Sequence, residues 1–241
     1  MTTDQRPGRP VQLSLGIKLR DEATFANFFR GPNAGALAAV EAIADPCGAL
    51  DLTYLYLWGV PGSGRSHLLQ AACHLAAEAQ VLAMYLPLGE ARLHGPSILD
   101  GMEGFDLLCL DDLDEIAGEP EWEEALFHLY NRLRDQGGRL LIAAAAAPRA
   151  LDLGLADLTS RLGSGLVYQL VQLGDEDKQH MLQLRAELRG LQMPGEVARY
   201  ILSRGARDMG ALFDALEHLD QASLEAQHRL TIPFVKRVMG W

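Results

Sequence analysis

The sequence WGVPGSGRS at residues 58–66 decides the fold of this chain. It fills the pattern G-x-x-x-x-G-K-[ST] at every constrained position except the lysine, which is Arg65 here. An apolar run at 52–58 precedes the motif and a helix-forming run at 66–78 follows it, which is the order that a phosphate-binding loop requires. In such a loop, glycines turn successive backbone N–H groups toward one centre, and the helix N-terminus adds partial positive charge. The alternative is a Gly/Pro-rich turn. We predict a phosphate site formed by Pro61, Gly62, Ser63, Gly64, Arg65, Ser66 and His67.

Arg65 changes what this loop is expected to do. Lysine is a compact point charge, whereas the guanidinium of arginine is a wider planar fork. Only three of the 21 Lys and Arg residues are lysines, so a general preference for arginine also explains the exchange. We expect phosphate binding to persist while the γ-phosphate is positioned poorly, so the sequence predicts nucleotide binding without fast turnover.

The composition is typical of a soluble globular protein. The chain has 241 residues, of which 49% are hydrophobic, enough for an α/β domain and a small helical one. Its three cysteines lie far apart and its first ten residues are polar, which favours a reduced, cytoplasmic protein. The longest apolar run, 140–147, is too short to cross a membrane. The net charge of −11 disfavours specific DNA binding by this chain.

The hydrophobic pattern alternates between buried strands and helices. Strands are predicted at 52–58, 81–86, 106–111, 139–145 and 167–170. A helix at 121–135 lies between the third and fourth of them. This order predicts an α/β fold with a parallel sheet between helices.

No strand pattern appears after residue 170. A helix is predicted to begin at Asp175, and further helical patterns cover 196–203, 206–227 and 231–239. We therefore predict three parts, which are a flexible tail at 1–20, an α/β base at 21–170 and an all-helical lid at 171–241.

The sequence LLCLDD at 107–112 is an apolar strand that ends in two carboxylates. In a P-loop protein this strand lies beside the phosphate-binding loop, and its first acid holds Mg²⁺. We predict that Asp111, with the hydroxyl of Ser66, is the site for Mg²⁺ if the ion is present. Asp112 is predicted to orient a water for attack on a γ-phosphate. The alternative is a strand followed by an acidic turn.

The order of these motifs resembles that of the AAA+ ATPases of the bacterial replication-initiator (DnaA) clade, and especially a shorter regulatory relative of the initiator. The resemblance runs from about residue 11 to the end. The segments that carry it are QLSL at 12–15, DEATF at 21–25, GRSHLL at 64–69, LYNR at 129–132, LTSRL at 158–162, DEDK at 175–178, ARDM at 206–209 and TIPFVK at 231–236.

The resemblance implies roles for two arginines and a cofactor. Arg161 is expected to be an arginine finger that acts in trans on a neighbour's nucleotide, and Arg207 to be a sensor-2 residue that reaches from the lid to the phosphates. By their residues alone, Arg161 could equally be a surface arginine and Arg207 a helix-surface charge. The implied cofactor is an adenine nucleotide, with ADP favoured and Mg²⁺ optional.

Two features depart from the pattern of this clade. Its members usually carry a polar sensor-1 residue at the end of the fourth strand, but residues 143–147 are all alanine. The initiator continues into a helix-turn-helix domain, whereas this sequence ends at Trp241. Both departures, together with Arg65, predict little ATP hydrolysis in this subunit and no direct specific DNA binding.

The sequence VQLSLGI at 11–17 resembles the short peptide that docks on the bacterial sliding clamp. An extended segment of this kind offers Leu13, Leu15 and Ile17 to an apolar pocket while Gln12 supplies hydrogen bonds. The same alternation also fits an edge strand.

These implications predict a nucleotide-bound regulator of chromosomal replication initiation. It would dock on the sliding clamp and stimulate hydrolysis of ATP bound by the initiator, DnaA, which inactivates the initiator. A trans-acting finger requires side-by-side contacts, which a homo-oligomer would also provide. The first alternative is a self-sufficient AAA+ ATPase such as a helicase loader, and the second is a nucleotide-sensing scaffold.

Overall fold

A computed structural model describes residue 19 and residues 23–46, 52–205, 208–226 and 228–241. The predicted clamp-binding residues Gln12, Leu13, Leu15 and Ile17 lie outside the described residues, and so does Arg207. No helix in the described ranges has the length and apolarity that crossing a membrane would need.

A parallel five-stranded sheet lies at the centre of the α/β part. Its spatial order is β2-β3-β4-β1-β5, so β4 separates the strand before the phosphate-binding loop from the strand that ends in Asp111. The carboxyl ends of β1, β3 and β4 therefore meet at one edge of the sheet. The strands are β1 (Tyr54–Trp58), β2 (Ala83–Pro87), β3 (Leu107–Asp111), β4 (Arg139–Ala144) and β5 (Leu166–Gln169).

Helices cover the sheet and then continue without strands to the end of the described chain. Those associated with the sheet are α1 (Ala34–Ala44), α2 (Arg65–Glu78), α3 (Leu88–Ala91), α4 (Pro120–Asp135) and α5 (Ala156–Leu162). Those that follow it are α6 (Asp175–Leu188), α7 (Gly195–Arg204), α8 (Met209–Ala226) and α9 (Ile232–Met239). The predicted α/β fold with a C-terminal helical region is confirmed.

Alternating residues of the strands build two cores, one on each face of the sheet. In β1, Tyr54 and Tyr56 pack with α4 on one face, while Leu55 and Leu57 pack with α1 and α2 on the other. A third cluster joins α6, α7, α8 and α9 to one another, and Leu182, Val197, Leu216 and Val235 are at its centre.

The prediction that 167–170 is a buried strand is wrong for most of its length. Leu170 is buried, but Leu166 and Val167 at the start of the observed strand are 45% and 37% exposed. The reason is position, because β5 is last in the sheet and pairs only with β1. An apolar run alone does not distinguish a central strand from such an edge strand.

Candidate nucleotide site

The loop between β1 and α2 has the backbone shape of a phosphate cradle. Gly62 and Gly64 have φ of 79° and 100°, in the left-handed region that side chains rarely adopt. A Cβ at Gly64 would lie 2.8 Å from Phe28 Cε2, so the glycine also admits this ring next to the loop. The loop ends at Arg65, where α2 begins, so its N–H groups lie at a helix N-terminus.

A cavity of about 260 Å³ opens beside this loop. Loop residues 62–67 form one side, and Phe28 and Phe29 contribute apolar surface from the segment before α1. The helical region contributes Met181, Arg185 and Phe213. None of the described lining residues is acidic and two are arginines, so the cavity suits an anion that carries an apolar, planar group.

Arg65 lines this cavity, yet its guanidinium is paired with carboxylates of its own chain. Nη2 lies 3.4 Å from Asp112 Oδ1 and Nη1 lies 3.8 Å from Asp114 Oδ1, and the side chain is only 10% exposed. Asp114 Oδ1 also accepts the N–H of Ala145 at 2.7 Å, directly after β4. Asp114 therefore connects the two departures noted in the sequence, the arginine of the loop and the missing polar side chain after β4.

Asp112 is held in an unfavourable state. Its backbone is left-handed, with φ 53° and ψ 52°, which is uncommon outside glycine and asparagine. Burial, and then the charge of Asp111, raise the pKa of Asp112 from 3.8 to about 6, although Arg65 acts to lower it. Strain and a raised pKa in one carboxylate are typical of functional sites.

Asp111 is fully buried, and both of its carboxylate oxygens are engaged within the chain. Oδ2 accepts the hydroxyl of Tyr85 at 2.8 Å and Oδ1 accepts the N–H of Asp112 at 3.0 Å. Burial, followed by the charge of Asp111, raises the pKa of Tyr85, so this hydroxyl stays a donor. Ser66 lines the cavity but Asp111 does not, and the described residues contain no group of three His, Cys, Asp or Glu side chains suited to a metal. As placed, Asp111 and Ser66 do not fit a directly bound Mg²⁺.

Arg161 lies apart from the residues that line the cavity. It is half-buried in the last turn of α5, a helix whose start is fastened by a buried acid. Glu123 of α4, 2% exposed, accepts the N–H groups of Gly118, Gly154 and Leu155 at 2.8, 3.2 and 2.7 Å. The orientation of α5, and with it Arg161, is therefore tied to α4.

Sequence reasoning missed Arg185 and Asp114. Arg185 is 7% exposed in α6, and its guanidinium carbon lies 3.8 Å from the centroid of the Phe213 ring. Its Nη2 lies 3.4 Å from His67 Nδ1. A signal was present for Arg185, because it falls on the stripe of α6 that also buries Met181, Leu182 and Ala186. No comparable signal distinguishes Asp114 from its acidic neighbours.

The parallel sheet, the glycine-shaped loop at a helix N-terminus and the acidic end of β3 together define a P-loop protein of the AAA+ class. The model for the bacterial DnaA ATPase domain matches residues 98–169, and the model for the lid domain of Hda matches residues 175–239. The chain is an Hda-like, DnaA-homologous AAA+ protein, and so a DnaA-related replication-initiation factor.

Solved structures agree on the fold. Domain III of the Thermotoga maritima replication initiation protein DnaA is 24% identical, with a TM-score of 0.76 over 93% of this chain and 98% of that chain. AMPPCP-bound DnaA from Aquifex aeolicus is 22% identical, with a TM-score of 0.71 over 87% of this chain and 68% of that chain. The Thermotoga maritima RuvB Holliday junction branch migration motor is 18% identical, with a TM-score of 0.65 over 90% and 73%.

Proposed function

We propose that this protein is a nucleotide-bound adaptor that inactivates the replication initiator DnaA in the cytoplasm. It docks on the DNA sliding clamp through Gln12, Leu13, Leu15 and Ile17, and presents Arg161 to ATP held by DnaA. The observation that carries the proposal is the pairing of Arg65 with Asp112 and Asp114, which leaves a loop able to bind phosphate but poorly equipped for hydrolysis.

The proposed ligand is an adenine nucleotide, with ADP favoured. The cavity supports it, because backbone N–H groups of residues 62–67 provide donors for phosphate and Phe28 and Phe29 provide apolar surface for a base. A DnaA structure with bound AMPPCP shows that a protein of similar fold holds an adenine nucleotide. We propose Arg207 as a further phosphate contact from the lid. Mg²⁺ has no step in this proposal.

Hydrolysis by this subunit is expected to be weak for an electrostatic reason. A γ-phosphate needs uncompensated positive charge, but Arg65 is already neutralised by two carboxylates. The strand that precedes residues 145–147 offers no polar side chain at its end either. A chain with these features contributes to catalysis by supplying a group to another protein's site.

Arg161 is the group that we propose to act in trans. It does not line the cavity of its own chain, which is what a finger that serves a neighbour requires. Contact with DnaA, or with a second copy of this chain, would place it beside a transferring phosphoryl group, where such a cation raises the rate about 10³- to 10⁵-fold.

We also propose that the base spans 21–170 and the lid 171–241, after a tail at 1–20. The support is the separation of the cores, because two clusters belong to the sheet and its helices while the third belongs to α6, α7, α8 and α9.

The main test measures hydrolysis of ATP bound to purified DnaA, with clamp loaded on DNA and either wild-type protein or Arg161→Ala. We expect stimulation by the wild type and a loss of at least about a hundredfold in the variant. The matched control is Arg149→Ala, an exposed arginine between β4 and α5, which should stimulate like the wild type. Full stimulation by Arg161→Ala would refute the finger.

Clamp docking has its own test, which is a pull-down with the purified clamp. Gln12→Ala combined with Leu13→Ala should abolish binding, and binding that survives would refute the docking peptide.

The alternative is a self-sufficient ATPase such as a helicase loader, in which Asp112 orients the attacking water. The raised pKa of Asp112, about 6, is the observation that favours it. Robust ATP hydrolysis by the protein alone, abolished by Asp112→Asn, would support this alternative over the adaptor.

A further inference from the structure

We propose that Arg185 of α6 is a phosphate ligand of the nucleotide cavity, contributed by the helical region opposite the phosphate-binding loop. This inference rests on the nucleotide binding proposed above and names a residue that the motifs of the loop and of β3 do not include.

Arg185 lies where a ligand of the loop would meet it. It is 7% exposed and lines the same cavity as Gly62, Gly64 and Ser66. Its Nη2 lies 3.4 Å from Nδ1 of His67, which is in the first turn of α2. The guanidinium thus reaches the turn at which the loop N–H groups converge.

The contact with His67 has a defined polarity. The carbonyl of Thr24 only accepts hydrogen bonds, so His67 Nε2, at 2.8 Å from it, carries the proton and donates. Nδ1 of the neutral ring is then the acceptor, and Arg185 Nη2 donates to it. His67 is held from both sides, and it fixes where the edge of the guanidinium lies.

Phe213 fixes the plane of the same group. Its ring centroid lies 3.8 Å from the guanidinium carbon of Arg185, so the face of the fork is covered and its edge is directed sideways. A guanidinium carries five N–H donors in fixed directions, so it can hold the imidazole of His67 and a phosphate oxygen at once.

The two arginines of the cavity differ in their electrostatic role. Arg65 is within 4 Å of carboxylates of Asp112 and Asp114 at the end of β3, on the side of the sheet. Arg185 approaches from α6, and the described residues that line the cavity around it include no acid. We therefore assign the recognition of ligand charge to Arg185 and the neutralisation of the acids to Arg65.

The competing explanation is that Arg185 only packs α6 against Phe213 and His67. A packing role would weaken every ligand of the cavity alike, whereas a phosphate ligand affects charged ligands alone. Comparison of ADP with adenosine separates the two roles, because these probes share the base and ribose and differ in the phosphates.

The experiment is calorimetric titration of the full chain with ADP and with adenosine, for the wild type and Arg185→Met. Methionine keeps a flexible side chain of similar length against Phe213 and removes the charge. We expect the affinity for ADP to fall about ten- to a hundredfold and that for adenosine to change less than about twofold. The matched control is Arg199→Met, an exposed arginine on α7, which should leave both affinities unchanged.

Each outcome decides the proposal. An equal loss for ADP and adenosine, or no loss for either, overturns the assignment of Arg185 while nucleotide binding stands. Failure of the wild type to bind ADP overturns nucleotide binding and this inference with it. If circular dichroism shows that Arg185→Met does not fold, Arg185→Lys replaces it, because lysine keeps the charge but not the fork. A loss of several-fold for ADP alone then supports the assignment, and any other result overturns it.

Discussion

Replacement of Asp112 by asparagine is expected to stabilise the protein at neutral pH and to have no effect in acid. Burial and Asp111 raise the pKa of Asp112 from 3.8 to about 6, so the folded state disfavours the ionised carboxylate. A pKa that is raised on folding adds stability that is fully present below the unfolded pKa and is lost as pH rises through the folded one. The loss should therefore develop between about pH 4 and pH 6 and stay constant above it.

The size of the effect follows from the shift and the exposure. A shift from 3.8 to about 6 corresponds to about 3 kcal/mol if fully expressed. The side chain is 40% exposed, however, so screening by solvent reduces this to about 1 kcal/mol. Asparagine is neutral at every pH and should recover that amount near pH 7.5.

The assay is urea unfolding of the wild type and Asp112→Asn at several pH values between 4 and 8, with the difference between them as the readout. The exposed Asp152→Asn serves as the matched control, since it lies outside the Arg65 network. A difference that is constant with pH would refute the reasoning. So would destabilisation by Asp112→Asn at pH 7.5, which would mean that the ion pair with Arg65 outweighs the cost of burial.

Three further substitutions test contacts that shape the site, each by urea unfolding. Glu123→Ala should lower the free energy of unfolding by about 3 kcal/mol, because it leaves three backbone N–H groups without their acceptor. Asn33→Ala should cost about 2 kcal/mol, because its amide both donates to and accepts from the backbone of Val171, at 2.9 and 2.8 Å. Gly59→Ala should cost about 2 kcal/mol, because the new Cβ would lie 2.6 Å from the carbonyl oxygen of Leu170.

Conservative replacements provide the controls for the first two. Glu123→Gln retains an acceptor and should cost less than Glu123→Ala, and Asn33→Asp retains only the acceptor toward Val171 and should lie between wild type and Asn33→Ala. Equal losses within either pair would show that packing, not hydrogen bonding, is responsible. Wild-type stability in Gly59→Ala would show that the loop shifts freely.

The fold was accessible from the sequence because its signals are local. The apolar runs, the glycines of residues 58–66 and the amphipathic stripe of α4 each predict an element within a few residues of where it lies. The error at β5 has a physical cause, because the exposure of a strand depends on what pairs with it. That information lies in other parts of the chain.

The site was only partly accessible for the same reason. Residues 61–67 form one side of the cavity as predicted, because a motif specifies a continuous backbone. The partners of Arg65 were not predicted, since Asp112 and Asp114 reach it only after β3 is placed beside β4. Arg185 belongs to a separate helical region, and only tertiary packing places it beside His67.

The anchoring of α5 by Glu123 has a consequence for how Arg161 meets another protein. A helix of seven residues does not persist in isolation, so its direction depends on the acid at its start and on the buried Leu158 and Leu162. The arginine at its far end is consequently preorganised, and association loses less conformational entropy than it would with a mobile loop. A glutamate on a neighbouring helix thus contributes to the speed and fidelity of an encounter that it never touches.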